Sequence, residues 1–300
     1  MTKKVIFIAA ASMVVGGAIF VTLGVKGGAT PIIMVGNKNA ADYDNSKESG
    51  TIDISEFDTL TINADTVDVR IVEGDEFKLE YYAKKKNIPE VNQEGKRLTI
   101  NQPASKTPVY FFAWDYEVAL SDESNYTITV PKDASPLNVD IKNDEDDIVI
   151  DGVDVNGRIV SDSNDVEIDN VSSNDLSVKA SDGKIHLNNS EFDKLTIENS
   201  DDELFAEKCT INNLDAKSLS DAITLNDVKI NTANLKAEND IRIDIIGPND
   251  YSFDLVSTDG EDIVVGENRM EGSFKQDNGS GKSITAMSDS GEVRVSFSGE

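Results

Sequence analysis

Along residues 137–247 apolar and polar side chains alternate in short pairs, apolar, any, apolar, and the pairs return at a near-constant interval. One set reads Val139/Ile141, Gly157/Ile159, Leu176/Val178, Leu195/Ile197, Leu214/Ala216 and Ala233/Leu235. A second set follows each polar turn, at Ile148/Ile150, Val166/Ile168, Ile185/Leu187, Leu204/Ala206, Ile223/Leu225 and Ile241/Ile243. Its successive pairs are roughly 19 residues apart, with almost no drift. A looser third stripe runs through Val153/Val155, Val171, Phe192, Cys209/Ile211, Val228/Ile230 and Ile246.

Pairs separated by one residue are strands with alternate side chains turned inward, and none of them has enough apolar surface to fold alone. Stacking the coils buries the stripes as columns and pairs each strand with its equivalent one coil away. The pattern therefore predicts an all-β fold, a parallel β-solenoid (β-helix-like) of about 19 residues per coil. Residues 137–247 contain no proline, as continuous ladders require. A helical repeat would recur at three and four residues, and a sandwich would not hold this register. Two less regular coils are expected at Phe253/Leu255 with Ile263/Val265 and at Ile284/Ala286 with Val293/Val295. Eight coils at the strand spacing make a rod of roughly 40 Å.

Residues 51–136 alternate with period two as well, at Leu60/Ile62, Val67/Val69/Ile71 and Phe77/Leu79/Tyr81. Between Phe57 and Tyr126 lie 10 of the chain's 19 aromatics, including Tyr110, Phe111, Phe112, Trp114 and Tyr116. This segment is expected to be an aromatic β cap on one open end of the solenoid, which spans 137–300. No segment is an evident cap for the other end.

The first thirty residues differ in kind. Val5 to Val25 is an uncharged run of 21 residues flanked by Lys3, Lys4 and Lys26. As a helix it is long enough to cross a bilayer, and the leading lysines favour a cytoplasmic N-terminus. The expected organisation is a membrane anchor in 1–30 with a transmembrane helix over 5–25, a small polar tether in 31–50, and a bulk outside the cytoplasm. If the segment is instead cleaved as a signal peptide, with Gly27, Gly28 and Ala29 as the small-residue site, the product is secreted.

Charge sharpens the location. The chain has 56 acids and 28 bases, −28 in all, and none of the acids lies in the first thirty residues. Taken as a whole it repels nucleic acid and anionic surfaces. One Cys and one His exclude an internal disulfide and a Cys- or His-rich zinc site. With Cys209 the only cysteine, no lipidated cysteine follows the apolar run.

At the level of motifs the chain resembles the bacterial putative-adhesin domain family with β-strand repeats, a domain of unknown function. The resemblance rests on Phe57-Asp58-Thr59-Leu60-Thr61-Ile62, the Gly74-Asp75 turn before Phe77-Lys78-Leu79-Glu80-Tyr81, and Gly95-Lys96-Arg97-Leu98-Thr99-Ile100. Repeats such as Leu176-Ser177-Val178-Lys179-Ala180-Ser181-Asp182-Gly183 and the closing Ser288-Asp289-Ser290-Gly291-Glu292-Val293 complete it. It implies a β-solenoid at a bacterial envelope and carries no catalytic signature.

The turns between the two sets are acidic, and aligned coils place Asp147, Asp165, Lys184, Glu203, Asp240, Asp262 and Glu292 in one column. Carboxylates stacked about 5 Å apart repel by roughly 1 kcal/mol per pair at a wet surface. Two readings stay open: a calcium ladder over Asp147, Asp165, Glu203, Asp240 and Asp262, or turn chemistry that also keeps the rod soluble. The same charge suits capture of a basic peptide or protein. His186 is expected to point outward without a partner, and Cys209 to be a buried thiol. Tyr110–Tyr116 is either the core of the cap or a patch for glycan or peptide. In so short a coil little chain remains to build a catalytic cleft.

The function that follows is a non-catalytic binding or scaffolding module with no cofactor, whose partner is a protein, cationic peptide or cell-wall component, and whose open ends invite end-to-end self-association. A regulatory component of an envelope-stress or cationic-peptide response is the alternative, and a glycan-active enzyme a third.

Overall fold

A computed structural model describes residues 46–103, 124–134 and 136–299. The expected anchor helix, most of the tether and the cluster Tyr110–Tyr116 lie outside these residues. No helix among the described residues is long and apolar enough to cross a membrane.

The first part of the chain forms β1 (Lys47–Asp53), β2 (Thr59–Ala64), β3 (Asp68–Gly74), β4 (Lys78–Lys84), β5 (Glu90–Glu94), β6 (Arg97–Asn101) and β7 (Asn125–Pro131). Then come β8 (Leu137–Asn143), β9 (Ile148–Asp151), β10 (Val155–Ser161), β11 (Val166–Asp169), β12 (Ser172–Ala180) and β13 (Ile185–Asn188). The repeat continues through β14 (Glu191–Asn199), β15 (Leu204–Glu207), β16 (Thr210–Ser218), β17 (Ile223–Ala237) and β18 (Ile241–Ile246). Last are β19 (Ser252–Ser257), β20 (Asp262–Val265), β21 (Asn268–Glu271), β22 (Ser273–Gln276), β23 (Ser283–Ser288) and β24 (Val293–Ser298).

These strands build two parallel stacks, and each coil gives one strand to each. The first stack runs β6, β2, β8, β10, β12, β14, β16, the end of β17, β23, β19. The second runs β7, β3, β9, β11, β13, β15, the start of β17, β18, β24, β20. Ten coils at about 4.8 Å per step give a rod of roughly 45 Å.

The paired stripes fall in register as the spacing requires. Val166 lies between Ile148 and Ile185, and Leu195 between Leu176 and Leu214. All six of these side chains are buried, each inward Ile or Leu contributing about 1.5–3 kcal/mol of transfer free energy. Gly157 takes a column position otherwise held by apolar side chains, from Ala233 up to Phe253, because its φ is +115° and a Cβ there would stand 2.2 Å from the Val139 carbonyl oxygen.

Several expectations change. The residues expected to form a separate cap supply two coils of the stack, β2/β3 and β6/β7, and residues 47–50, expected in the tether, already belong to β1. The edge is covered by antiparallel strands instead: β5 on β6, and β4 with β1 beyond it on β7. The other end has the same device, β22 on β19 and β21 on β20. Spatial order also departs from chain order at both ends. The β2/β3 coil sits inside β6/β7, and β23/β24 is inserted between β17/β18 and β19/β20. Finally, the third stripe ends in Ile245, not Ile246: an extra residue of β17 shifts the register between Leu225 and Val228, so that Val228 meets Ile245.

Candidate functional site

Each coil turns twice. On leaving the first stack, the last strand residue points inward and is small and polar in six coils, at Asn143, Ser161, Asn199, Ser218, Ser257 and Ser288, all buried. These side chains tie the acidic turn to the core. Asn143 Nδ2 donates to Asp146 O at 2.6 Å, Ser161 Oγ to Asn164 O at 2.8 Å, Asn199 Nδ2 to Asp202 O at 2.8 Å, and Ser288 Oγ to Asn239 O at 2.7 Å. Each donation satisfies a turn carbonyl that would otherwise be short of a donor, although the Oδ1 atoms of Asn143 and Asn199 are themselves buried without a partner among the described residues. The signal was in the sequence, as an Asn or Ser that ends the same strand in most coils.

The acidic column forms as aligned, except that Glu292 lies between Asp240 and Asp262. Its five calcium candidates each hold a different partner. Asp147 Oδ1 accepts the Asp165 N–H at 3.2 Å, Asp165 Oδ1 the Lys184 N–H at 2.8 Å, and Asp240 Oδ1 the Glu292 N–H at 2.8 Å. Glu203 Oε1 accepts the Thr224 hydroxyl at 2.9 Å, and Asp262 is ion-paired with Arg269 across the β20–β21 hairpin. Among the described residues no group of three or more His, Cys, Asp or Glu converges as a metal-ligand set. Asp147, Asp165 and Asp240 thereby act as acceptors that extend the backbone ladder. Burial, then the neighbouring Asp68, pushes the Asp147 carboxyl up from its ordinary value.

The second turn places a left-handed residue at one position in successive coils: Gly152, Asn170, Asn189, Lys208 and Asp227, with φ between +47° and +72°. Gly, Asn and Asp suit that conformation, and Lys208 does not share their advantage.

Beyond this turn the long strands of the first stack bend. Asn174, Asp193 and Asn212 drop out of the backbone pairing that Ser173, Phe192 and Ile211 hold on one side and Asp175, Lys194 and Asn213 on the other. Side chains take over there. Asn156 Oδ1 accepts the Asn174 N–H at 2.8 Å, Asn212 Nδ2 donates to Asp193 Oδ1 at 3.0 Å, and Asn231 Nδ2 to Asn212 Oδ1 at 2.7 Å. The bend leaves a groove of about 320 Å³, lined by Asp154, Asn156, Ser172, Asn174, Glu191, Asp193, Thr210 and Asn212 among others. Among the described residues its lining has three carboxylates and no Lys or Arg. The groove is not legible in the periodicity, where Asn and Asp at 156, 174, 193, 212 and 231 are only polar positions.

Cys209 is buried as expected, its thiol 3.3 Å from Glu207 O and pushed up to about 11 by burial. His186 faces outward as expected, but it has a partner: its ring lies 5.8 Å from that of Phe205, one coil away.

The family model for Toastrack DUF4097 matches residues 57–298, nearly the whole described rod. The chain belongs to the Toastrack DUF4097 family. Among solved structures, this Toastrack protein is similar to a putative adhesin from Bacteroides fragilis NCTC 9343, at 13% identity over 84% of this chain and 97% of that one, with a TM-score of 0.44. It is similar also to a putative lipid binding protein from Parabacteroides distasonis ATCC 8503, at 15% identity over 86% and 96%, TM-score 0.44. A putative cell adhesion protein from Clostridium sporogenes ATCC 15579 matches at 14% identity over 84% and 99%, TM-score 0.28. No curated protein matches the chain.

Proposed function

We propose that this Toastrack protein is a non-catalytic binding or scaffolding module, anchored at the cell envelope by residues 5–25 with its bulk outside the cytoplasm, and that it receives a cationic partner in the groove at the strand bend. The groove carries the reading. Asp154, Glu191 and Asp193 are exposed there with no lining base, on a floor whose Asn156 and Asn212 side-chain amides are already tied coil to coil. Such a surface is fixed before binding, so little ordering cost falls on the protein. A lysine-rich peptide segment matches it in charge and in extended form.

Catalysis has no footing at the groups best suited to it. The Cys209 thiol is sealed in the core and held protonated, and His186 packs beside Phe205, in register between it and Glu167. The regulatory alternative, a sensor of cationic peptides, would use the same groove.

The test is titration of the full chain with a lysine-rich peptide at low and high salt, beside the variant D154N/E191Q/D193N. Exposed ion pairs contribute about 0.2–1 kcal/mol each, so the variant should bind roughly tenfold more weakly and with less salt dependence. Unchanged affinity in the variant, or salt-insensitive binding to wall glycan instead, would overturn the cationic reading. Release of reducing sugar from wall polysaccharide would overturn the non-catalytic one.

A further inference from the structure

Asparagine is followed by glycine at two places in the chain, Asn156-Gly157 and Asn278-Gly279. In that dipeptide the glycine nitrogen can attack the side-chain amide carbon of the asparagine, because no Cβ on the second residue hinders the approach. The fold puts the two sites in opposite conditions.

Asn156 is held fast. It lies within β10, where Gly157 is paired with Val139 on one side and Leu176 on the other. Its Oδ1 accepts the Asn174 N–H at 2.8 Å, the Asp175 N–H at 3.2 Å and the Ser173 hydroxyl at 3.2 Å. The side chain cannot swing onto the Gly157 nitrogen without breaking these bonds, so the reacting atoms stay apart.

Asn278 is held only by its backbone. It is exposed in the link between β22 and β23, outside both strands, and its side-chain amide makes no hydrogen bond to another described residue. Its N–H donates to Ser252 Oγ at 3.0 Å, and Ser252 Oγ donates to Asp277 Oδ1 at 3.0 Å. Gly279 has φ +71°, nothing within 4 Å of where a Cβ would stand, and an N–H that donates to Asp277 Oδ1 at 3.0 Å. A carboxylate at hydrogen-bond distance from the proton that must leave stands where a general base is needed.

We propose that Asn278 is a site of self-modification, converted in the folded protein to aspartate and isoaspartate while Asn156 is preserved. The Gly279 nitrogen forms a bond to Asn278 Cγ as its proton passes to the Asp277 carboxylate and on to the side-chain nitrogen, which leaves as ammonia. Water then opens the cyclic imide at either carbonyl, one opening giving aspartate and the other routing the backbone through the side chain. No oxidant or reductant is consumed. Either product adds a carboxylate to a chain of net charge −28, and isoaspartate also lengthens the link between β22 and β23 by a methylene. Neither product returns to asparagine, so the modified fraction grows with the age of the molecule.

The experiment holds the purified full chain at neutral pH and follows Asn278 and Asn156 over time in separate peptides by mass spectrometry. An isoaspartyl methyltransferase distinguishes isoaspartate from aspartate. Conversion at Asn278 should exceed that at Asn156 by roughly tenfold or more, and unfolding in urea should largely erase the difference. Asp277→Ala should slow conversion at Asn278 roughly tenfold, less than a base in an enclosed site contributes. An Asn278 that stays intact in the folded chain over the time in which the unfolded chain converts, or equal conversion at both sites in the folded chain, would overturn self-modification at Asn278. An unchanged rate in Asp277→Ala would overturn the role given to Asp277.

Discussion

Ile284 lies in register beside Ala233, although all of β18 to β22 comes between them in the chain, and on its other side it meets Phe253. The last coil is thus an interior layer of the rod, closed on both faces by strands that precede it in the chain. Its inward side chains Ile284, Ala286, Val293 and Val295 are all buried.

An interior layer cannot fray like a terminus. Ile284→Ala should destabilise the protein by about 2–5 kcal/mol, the range for truncating a buried aliphatic side chain. Urea unfolding measures it, and hydrogen exchange at Ala286 should be as slow as at Leu235. A loss below about 0.5 kcal/mol, the size expected of a surface change, would mean that the coil is peripheral.

Lys208 holds a left-handed conformation, φ +53°, in a column whose other members are Gly, Asn and Asp. Lys208→Asn should stabilise the rod by roughly 1 kcal/mol, raising the urea midpoint without changing the slope. The ion pair with Glu207 that it sacrifices is exposed and weak.

Asn199 joins two turns, with Nδ2 donating to Gly183 O at 3.1 Å and to Asp202 O at 2.8 Å. Asn199→Ala leaves both carbonyls short of a donor and should cost about 1–3 kcal/mol by urea unfolding. Asn199→Ser, the residue used at Ser161, Ser218 and Ser288, should recover part of that loss.

These cases divide what was legible from what was not. The inward pairs are read directly, because a period of two fixes the face and the constant coil length fixes the register. Which coil neighbours which at the ends is not, since Phe253/Leu255 and Ile284/Ala286 present the same pattern and fit either order. The antiparallel strands β21 and β22 escape because their side chains are mostly exposed. In the groove, the strand bend itself turns ordinary polar positions such as Asn174 and Asp193 into a lining.

Acid should first help and then harm. Asp147 is raised chiefly by burial, and Asp182 chiefly by a hydrogen bond with Asp201 one coil away. Each binds its proton more tightly when folded, so it adds stability as pH falls through its folded-state pKa. Glu198 is held low by Lys179 Nζ at 2.8 Å, and its contribution, present above its unfolded pKa, is lost as pH falls through the depressed folded value. Melting temperature should therefore rise from neutral pH toward the ordinary carboxylate range and decline below it. Asp147→Asn, which keeps an acceptor for the Asp165 N–H, should melt higher at neutral pH and flatten the rise.

The stacked carboxylates give a separate expectation for divalent ions. With Asp147, Asp165 and Asp240 engaged by backbone N–H groups, calcium and magnesium at equal ionic strength should shift the melt equally. A calcium-selective rise abolished by D147N/D165N would establish the ladder as a metal site.

The groove at the strand bend, and not the acidic turns, is the surface proposed to take a cationic partner. Carbodiimide coupling of a lysine-rich peptide to the full chain, with the joined carboxylates mapped by mass spectrometry, tests it most directly. Coupling is expected at Asp154, Glu191 and Asp193, suppressed by salt. Coupling concentrated at Asp162, Asp165, Asp201 and Asp202 would contradict it.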